Sequence, residues 1–193
     1  MNTEELTRQV EGKPAPMPLL AVQAFANTLD IETSTDLLED RETFLDWMKR
    51  SGVAVPGIEV SAADLRLARR FREVIRDLLV ANERGTADAK AGAELAKLTA
   101  ERRVQLIADP ATGRLTADTS PATDVSDLVC LLLGIVLLAQ TDGEWERLKL
   151  CENPECLWAF YDGSRNRSGS WCRMGQCGNR LKNRAYRERQ RSS

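Results

Sequence analysis

Four of the five cysteines in this chain lie in its last quarter, in two pairs with the same spacing. Cys151 and Cys156 enclose four residues, Cys172 and Cys177 enclose four more, and fifteen residues separate the two pairs. Zn²⁺ prefers four soft ligands in a tetrahedron, and two short cysteine loops can supply two thiolates each. The pattern therefore predicts a structural zinc site with these four cysteines as its ligands.

The spacing alone leaves other uses of the four thiols open. Two disulfides would need an oxidising compartment, and a redox-active pair or an iron–sulfur cluster also uses cysteines. Asn153-Pro154 and Gly175 permit the tight turns that zinc loops need, and turn amides can donate hydrogen bonds to thiolate sulfurs. Cys130 stands apart in an apolar segment, where we expect a buried small side chain rather than a reactive thiol.

The sequence of 193 residues contains no histidine. This excludes Ser-His-Asp and Cys-His catalysis, histidine-ligated metals and histidine pH switches. The chain also lacks a phosphate-binding loop and a glycine-rich dinucleotide motif. Four thiolates around zinc leave no coordination position for a substrate. We therefore expect no enzyme activity and assign no catalytic residue.

The formal net charge of −2 hides a strong division along the chain. Residues 163–193 carry nine Lys and Arg against one acidic residue, whereas residues 1–162 carry 18 basic and 28 acidic residues. A basic tail on an acidic body indicates that the tail meets a polyanion. The alternative is a tail that docks on the acidic body of its own chain.

The basic tail itself has the pattern of a helix. Asn179 is a good N-cap, and arginines follow at spacings of three and four, so several of them share one face. Arginine can bind phosphate or guanine, and asparagine can pair with adenine, which favours nucleic acid, DNA more than RNA, as the partner. The candidate nucleic-acid-binding residues are Arg165, Arg167, Arg180, Asn183, Arg184, Arg187 and Arg191. The alternative function is a protein-interaction module whose basic helix docks on an acidic partner protein.

The rest of the chain is predicted to be mainly helical. Residues 1–18 have the composition of a loose arm, and residues 19–29 fit either a strand or a helix. A helix is predicted over 41–51 with Gly52 beyond its end, and another from the N-cap Ser61 to Gly85. The arginines on the polar side of this second helix indicate either an anion-binding face or, preferably, a solvated face with ion pairs.

The second half of this N-terminal region completes the fold class. We expect a weaker helix over 87–101, a β-hairpin over 104–117, and a buried apolar helix that Asp124 or Ser126 caps. The apolar run of twelve residues is too short to cross a membrane, which needs about 20. No signal peptide is evident, so we expect a cytoplasmic protein. We predict an α+β, mainly α fold, with a helical domain over 1–143 and a four-cysteine zinc knuckle with a basic helix over 144–193.

Several short motifs together resemble a known bacterial family. The cysteine segment is similar to the CGNR-type zinc finger, and the upstream region more loosely resembles the N-terminal domain called ABATE. The matching residues of the zinc finger are Cys151-x4-Cys156, Phe160-Tyr161-Asp162, Ser164-Arg165-Asn166, Trp171-Cys172 and Cys177-Gly-Asn-Arg180. The matching residues upstream are Phe25-x-Asn27-Thr28, Leu67-Ala68-Arg69 and Arg72-Glu73, followed by the hairpin.

The resemblance implies a zinc site at the four matching cysteines and a DNA-binding, stress-induced transcription regulator. We further expect the N-terminal domain to sense a small-molecule ligand or to mediate a homodimer. One departure concerns the residues before Trp171-Cys172, where family members often carry arginine. Here Ser168-Gly169-Ser170 occupies that place, so one or two cationic contacts are expected to be absent.

Overall fold

The computed structural model describes residues 1–180, 183 and 190. Up to residue 178 the α-helices are α1 (Thr3–Val10), α2 (Leu19–Ala26), α3 (Arg41–Ser51), α4 (Ala62–Arg84), α5 (Ala89–Thr99) and α6 (Val125–Thr141). The strands are β1 (Leu29–Asp30), β2 (Thr35–Asp36), β3 (Leu106–Ala108), β4 (Leu115–Ala117), β5 (Leu148–Leu150) and β6 (Ala159–Tyr161). They pair as three antiparallel hairpins. The predicted α+β, mainly α fold class is confirmed.

The boundaries of α3 and α4 lie where the sequence predicts them. Gly52 ends α3 and Gly85 ends α4, both in the left-handed conformation, with φ of 61° and 64°. Ser61 and Asp64 form a reciprocal capping box at the start of α4. The box satisfies backbone N–H groups that the first turn of a helix cannot bond internally, so local sequence alone determines this helix start.

The first eighteen residues are not a loose arm, and that prediction is wrong. Asn2 accepts a hydrogen bond from the backbone of Glu5 and begins α1. Leu6 and Val10 lie one helical turn apart and are fully buried. Both side chains are buried because α1 packs on α2 and α3. The short, mostly polar sequence of α1 does not reveal this contact.

The centre of the molecule consists of α2 and α6. All eight residues of α2 are buried, which explains why its sequence shows no helical periodicity. Helix α6 is the predicted apolar helix, and Asp124, not Ser126, caps it. A Cβ placed on Gly134 would lie 2.9 Å from the Cβ of Ala117, so this glycine lets the hairpin β3–β4 approach α6 closely. No helix in residues 1–180 is both long and apolar enough to cross a membrane.

The basic side of α4 is only partly solvated. Arg72 and Arg76 are almost completely buried, with 3% and 4% of their surface exposed. Arg72 makes a two-pronged ion pair with Asp36, and Arg76 donates hydrogen bonds to two backbone carbonyls. Neither an anion-binding face nor a fully solvated face describes this side of α4 correctly, because two of its arginines connect the helix to the hairpin β1–β2 and to α2.

The hairpin β3–β4 appears where it was predicted, but two other hairpins were missed. β1–β2 and β5–β6 have only two or three residues per strand, and neither pair is joined by a glycine-containing turn like the one that predicted β3–β4. Leu148, Leu150 and Ala159 of β5–β6 belong to the same core as α2 and α6. The segment after residue 143 therefore packs directly on the N-terminal helices, while the domain boundary at 143 stays a prediction.

Candidate metal centre

The four paired cysteines come together at one end of the hairpin β5–β6. Their sulfur atoms all lie within 4.8 Å of one another, and all four residues are buried. Cys151 directly follows β5, and Cys177 lies in a π-helical turn formed by Met174–Gly178. The structure therefore brings together every cysteine that the sequence assigned to the metal.

The donor set fits a tetrahedral metal ion. The Sγ atoms of Cys156 and Cys172 are 3.6 Å apart, and those of Cys172 and Cys177 are 3.8 Å apart. Zinc–sulfur bonds of about 2.3 Å in a tetrahedron place sulfur atoms about 3.8 Å apart. Four sulfur donors at this separation suit zinc, and they leave no open coordination position. Cys130 lies outside the cluster and is only partly buried, in contrast to the full burial expected of it.

The first cysteine loop is shaped by Asn153. Its backbone carbonyl accepts hydrogen bonds from the N–H groups of Cys156 and Leu157, and its side-chain oxygen accepts one from Glu155. Leu157 then adopts a positive φ of 50°, which turns the chain back toward β6. The loop therefore forms as a turn with its own hydrogen bonds, as the Asn-Pro pair predicted.

The cluster stabilises a thiolate even before the charge of a metal is considered. The thiols of Cys156 and Cys172 donate hydrogen bonds that lower the pKa of Cys151, and the backbone N–H groups of Cys172 and Asn153 add to the effect. Cys156 has a raised pKa, because its thiol donates to its cysteine neighbours and is buried, and the backbone N–H of Trp158 offsets only part of this rise. Such amide donors around sulfur are the second coordination shell expected of a zinc–thiolate centre.

Gly178, directly after the second cysteine loop, packs closely against two side chains. A Cβ on Gly178 would lie 2.6 Å from the sulfur of Met174 and 3.1 Å from the ring of Trp171. The next residue, Asn179, is already helical and donates a side-chain hydrogen bond to the carbonyl of Gly175. The prediction that Asn179 caps the basic helix is therefore wrong, because the π-helical turn around Cys177 starts the helix earlier.

A buried ion pair supports the loop between the two cysteine pairs. The Nζ of Lys149 lies 3.2 Å from Asp162 Oδ2, with both side chains at most 5% exposed. Burial raises the pKa of Asp162, but hydrogen bonds from Ser164 and Gly169 outweigh it and lower the pKa to about 2. Sequence reasoning noted Asp162 only as part of a family motif and gave it no role.

Gly169 lies directly against the carboxylate of the buried ion pair. A Cβ at this position would lie 2.9 Å from the carboxylate of Asp162, whose Oδ2 accepts the N–H of Gly169 at 2.7 Å. The Lys149 ammonium also reaches the carbonyl of Gly169. Gly169 is thus part of the polar packing around the buried ion pair.

Of the predicted nucleic-acid-binding residues that the structure describes, two lie close to acidic side chains. Arg165 and Asn183 are exposed. Arg167 approaches Glu146 at 3.8 Å, and Arg180 pairs with Glu32 at 2.7 Å. The three remaining candidates, Arg184, Arg187 and Arg191, lie outside the described residues.

The N-terminal helices hold the metal centre through polar contacts that the sequence did not signal. Asn27 exchanges two hydrogen bonds with the backbone of Ala159, and Lys13 donates one to the carbonyl of Trp171. The Lys13 ammonium also lies over the ring of Phe160. Arg76 donates to the carbonyl of Leu157, beside Cys156, so its charge offsets part of the negative charge of the thiolates.

Comparison with known families assigns both parts of the chain. Residues 147–190 match the model of the CGNR zinc finger. Residues 20–142, well over half of the chain, match the model of the ABATE domain, described as "putative stress-induced transcription regulator". No curated protein matches the chain. The two matched families are the ones that the sequence motifs resembled.

Proposed function

The chain belongs to the ABATE family and carries a CGNR zinc finger, and from this premise we propose that it is a transcription regulator that binds zinc and DNA. The proposed role of zinc is structural, because four sulfurs fill its tetrahedral shell. In this proposal the metal braces the two cysteine loops and takes no part in catalysis. The proposal places the protein in the cytoplasm, where thiols stay reduced.

One observation carries the proposal: the metal cluster continues directly into helical, exposed residues at the start of the predicted basic helix. Cys177 and Gly178 are buried, while Asn179, Arg180 and Asn183 are helical and exposed. A helix whose first turn is fixed by a metal site is well placed to enter a groove of duplex DNA. Such a helix offers arginine for phosphates and guanine, and asparagine for adenine.

The charge of the C-terminal part supports the same partner. Residues 163–193 carry nine basic residues and one acidic residue. Arg165 is exposed in the loop between the cysteine pairs, on the same segment as the basic helix. Phosphate contacts by these residues would supply affinity, and the helix start would supply base recognition.

A second candidate function is favoured by the ion pairs that the basic residues make within the chain. Arg173 pairs with Glu11 and Arg180 pairs with Glu32. This supports the alternative of a protein-interaction module, in which the basic helix docks on acidic protein surface, either its own or that of a partner. We include in either proposal an N-terminal domain that receives a signal, through a small-molecule ligand or a homodimer.

Fluorescence anisotropy of the zinc-loaded protein on a mixed duplex-DNA pool, at several salt concentrations, tests the first proposal. We expect the logarithm of affinity to fall with the logarithm of salt, with a slope of about −0.9 for each phosphate contacted. The variant Arg165→Gln should weaken binding to all sequences and reduce the slope by about one.

The matched control is Arg66→Gln, which removes one exposed arginine from α4, far along the chain from the cysteine segment. It should leave both affinity and slope unchanged. Absence of DNA binding at low salt would overturn the DNA proposal and favour the acidic protein partner. Equal loss in both variants would mean that net charge, rather than the cysteine segment, governs binding.

A further inference from the structure

A cavity of about 530 Å³ lies between the N-terminal helices and the metal centre. One wall is formed by residues of α1, α2 and the hairpin β1–β2, and the opposite wall by three of the four metal-ligating cysteines and their neighbours. Its volume is in the range of small-molecule sites, which often lie where two structural units meet. The cavity is therefore large enough for a ligand that touches both parts of the chain.

The inner surface of the cavity combines an apolar part with a polar rim. Trp47, Trp158 and Leu37 supply the apolar lining. The indole nitrogens of both tryptophans already donate hydrogen bonds, to Gln9 and to the carbonyl of Val10. Trp47 has no exposed surface, but the indole ring of Trp158 is fixed in place and can contact a flat apolar group or a cation.

The charge of the lining disfavours an anion. Three carboxylates and two guanidinium groups line the cavity, and Arg180 pairs with one of these carboxylates, Glu32, so the side chains alone are close to neutral. Four thiolates around Zn²⁺ would add about two negative charges to one wall of the cavity. The negative potential of the cavity therefore attracts a cation.

Two of these carboxylates are held by weak, exchangeable partners. Glu11 pairs with Arg173 and Glu32 pairs with Arg180, and all four side chains are more than a third exposed. Exposed ion pairs of this kind contribute little to stability, so another cation can replace the arginine. Both Arg173 and Arg180 belong to the cysteine segment, and Arg180 lies at the start of the predicted basic helix.

We propose that this cavity binds a small organic cation with an aromatic ring. Its cationic group pairs with the carboxylates of Glu32 and Glu11, and its ring lies against Trp158. Occupation of the cavity releases Arg180 and Arg173 from their partners in the N-terminal domain. The consequence for DNA rests on the proposed function: two freed arginines strengthen DNA binding. The cation is thus the class of signal that the N-terminal domain receives.

Three probes with the same ring and different charges test the site without DNA. They are 1-naphthylmethylammonium, 1-naphthylmethanol and 1-naphthoate, titrated by calorimetry into the zinc-loaded full-length protein. We expect one site, with the ammonium binding roughly five- to tenfold more tightly than the alcohol and the naphthoate most weakly. The variant Glu32→Gln should remove most of the advantage of the ammonium and leave the alcohol unchanged.

The control variant Glu101→Gln removes the same charge from an exposed position that does not line the cavity, and should bind the ammonium like the parent protein. Equal affinity for ammonium and naphthoate, no binding of any probe, or no effect of Glu32→Gln would overturn the proposal. The anisotropy assay with and without the ammonium then separates the two proposals. If the protein binds the ammonium but not DNA, the cavity proposal stands and the DNA proposal is overturned. If it binds DNA but not the ammonium, the DNA proposal stands and the cavity proposal is overturned.

Discussion

Asp162 and Lys149 bury opposite charges beside the loop that carries Arg165 and Arg167. The Lys149 ammonium bonds to the Asp162 carboxylate and to two backbone carbonyls of this loop. A buried charge that loses its partner costs far more than an exposed ion pair contributes. At the scale of single residues, the shape of the loop therefore depends on this pair as well as on the cysteines.

The variant Asp162→Asn should lower the free energy of unfolding by about 3 kcal/mol, because Lys149 is then a buried cation without a carboxylate. Urea denaturation at neutral pH measures it. The control Asp142→Asn, at an exposed position after α6, should change the free energy by less than about 0.5 kcal/mol. Similar changes in the free energy of unfolding for the two variants would show that the buried ion pair matters no more than an exposed carboxylate.

The pH dependence of this effect has a definite sign. The pKa of Asp162 is lowered to about 2, so its ionised form stabilises the fold above the ordinary carboxyl pKa of about 4. This stabilisation is lost as the pH falls from about 4 toward about 2. The difference between the parent protein and Asp162→Asn should shrink over that window, and a constant difference would contradict the assignment.

Each clustered cysteine should be needed for the metal, whereas Cys130 should not. We expect Cys177→Ser to lose most of the bound zinc, since an alcohol is a poor substitute for the fourth thiolate. Elemental analysis of the purified protein gives the zinc content per chain. Cys130→Ser should keep the zinc content of the parent protein, and loss of zinc in this control would contradict the four-cysteine assignment.

The helices show how neighbouring elements give one residue type opposite roles. Gly134 lies in α6 against the hairpin β3–β4, where a Cβ would approach Ala117 and Val104 at 2.9 and 3.2 Å. Gly92 lies in α5, where a Cβ would meet nothing within 4 Å. At the scale of elements, one glycine permits packing and the other only weakens a helix.

The same substitution should therefore have opposite effects at these positions. Gly134→Ala should destabilise the protein by about 1–2 kcal/mol, because the hairpin must move away. Gly92→Ala should stabilise it by up to about 1 kcal/mol through helix propensity alone. Thermal unfolding monitored by circular dichroism measures both, and equal signs would contradict the packing of α6 on the hairpin.

At the scale of the whole molecule, the larger of the two buried clusters in the described residues includes residues from both matched families. Leu148 and Ala159 pack with α2 and α6, and Asn27 bonds to the backbone of β6. The cysteine segment is thus attached to the N-terminal helices by apolar contacts and by buried hydrogen bonds. At this scale, a change at the metal centre should affect the stability of the helices.

Removal of the metal should lower one shared unfolding transition. We expect a chelator to reduce the midpoint temperature measured by helix circular dichroism and by tryptophan fluorescence equally, because metal binding stabilises only the folded chain. The titration is made with the full-length protein, and zinc added back in excess should restore the midpoint. Two separate transitions, with unchanged helices, would contradict the shared core.

Local sequence predicted much of the fold because local interactions determine much of it. The limits of α3 and α4 follow from Asp40, Ser61 and the two terminal glycines, which act within a single turn. Helix α1 was missed because only Leu6 and Val10 mark its buried face, and the hairpins β1–β2 and β5–β6 were missed because no glycine-containing turn joins their strands. They form because neighbouring elements cover them.

The candidate metal centre was readable from sequence alone, and its surroundings were not. Four thiols in two equal loops can satisfy one tetrahedral metal ion, so their spacing determined the ligand set. The tertiary structure decided that Asp162 pairs with Lys149, that Arg72 and Arg76 are buried, and that Arg180 meets Glu32. These partners are 13 to 148 residues apart in the chain, and only packing of the whole core brings such distant charges together.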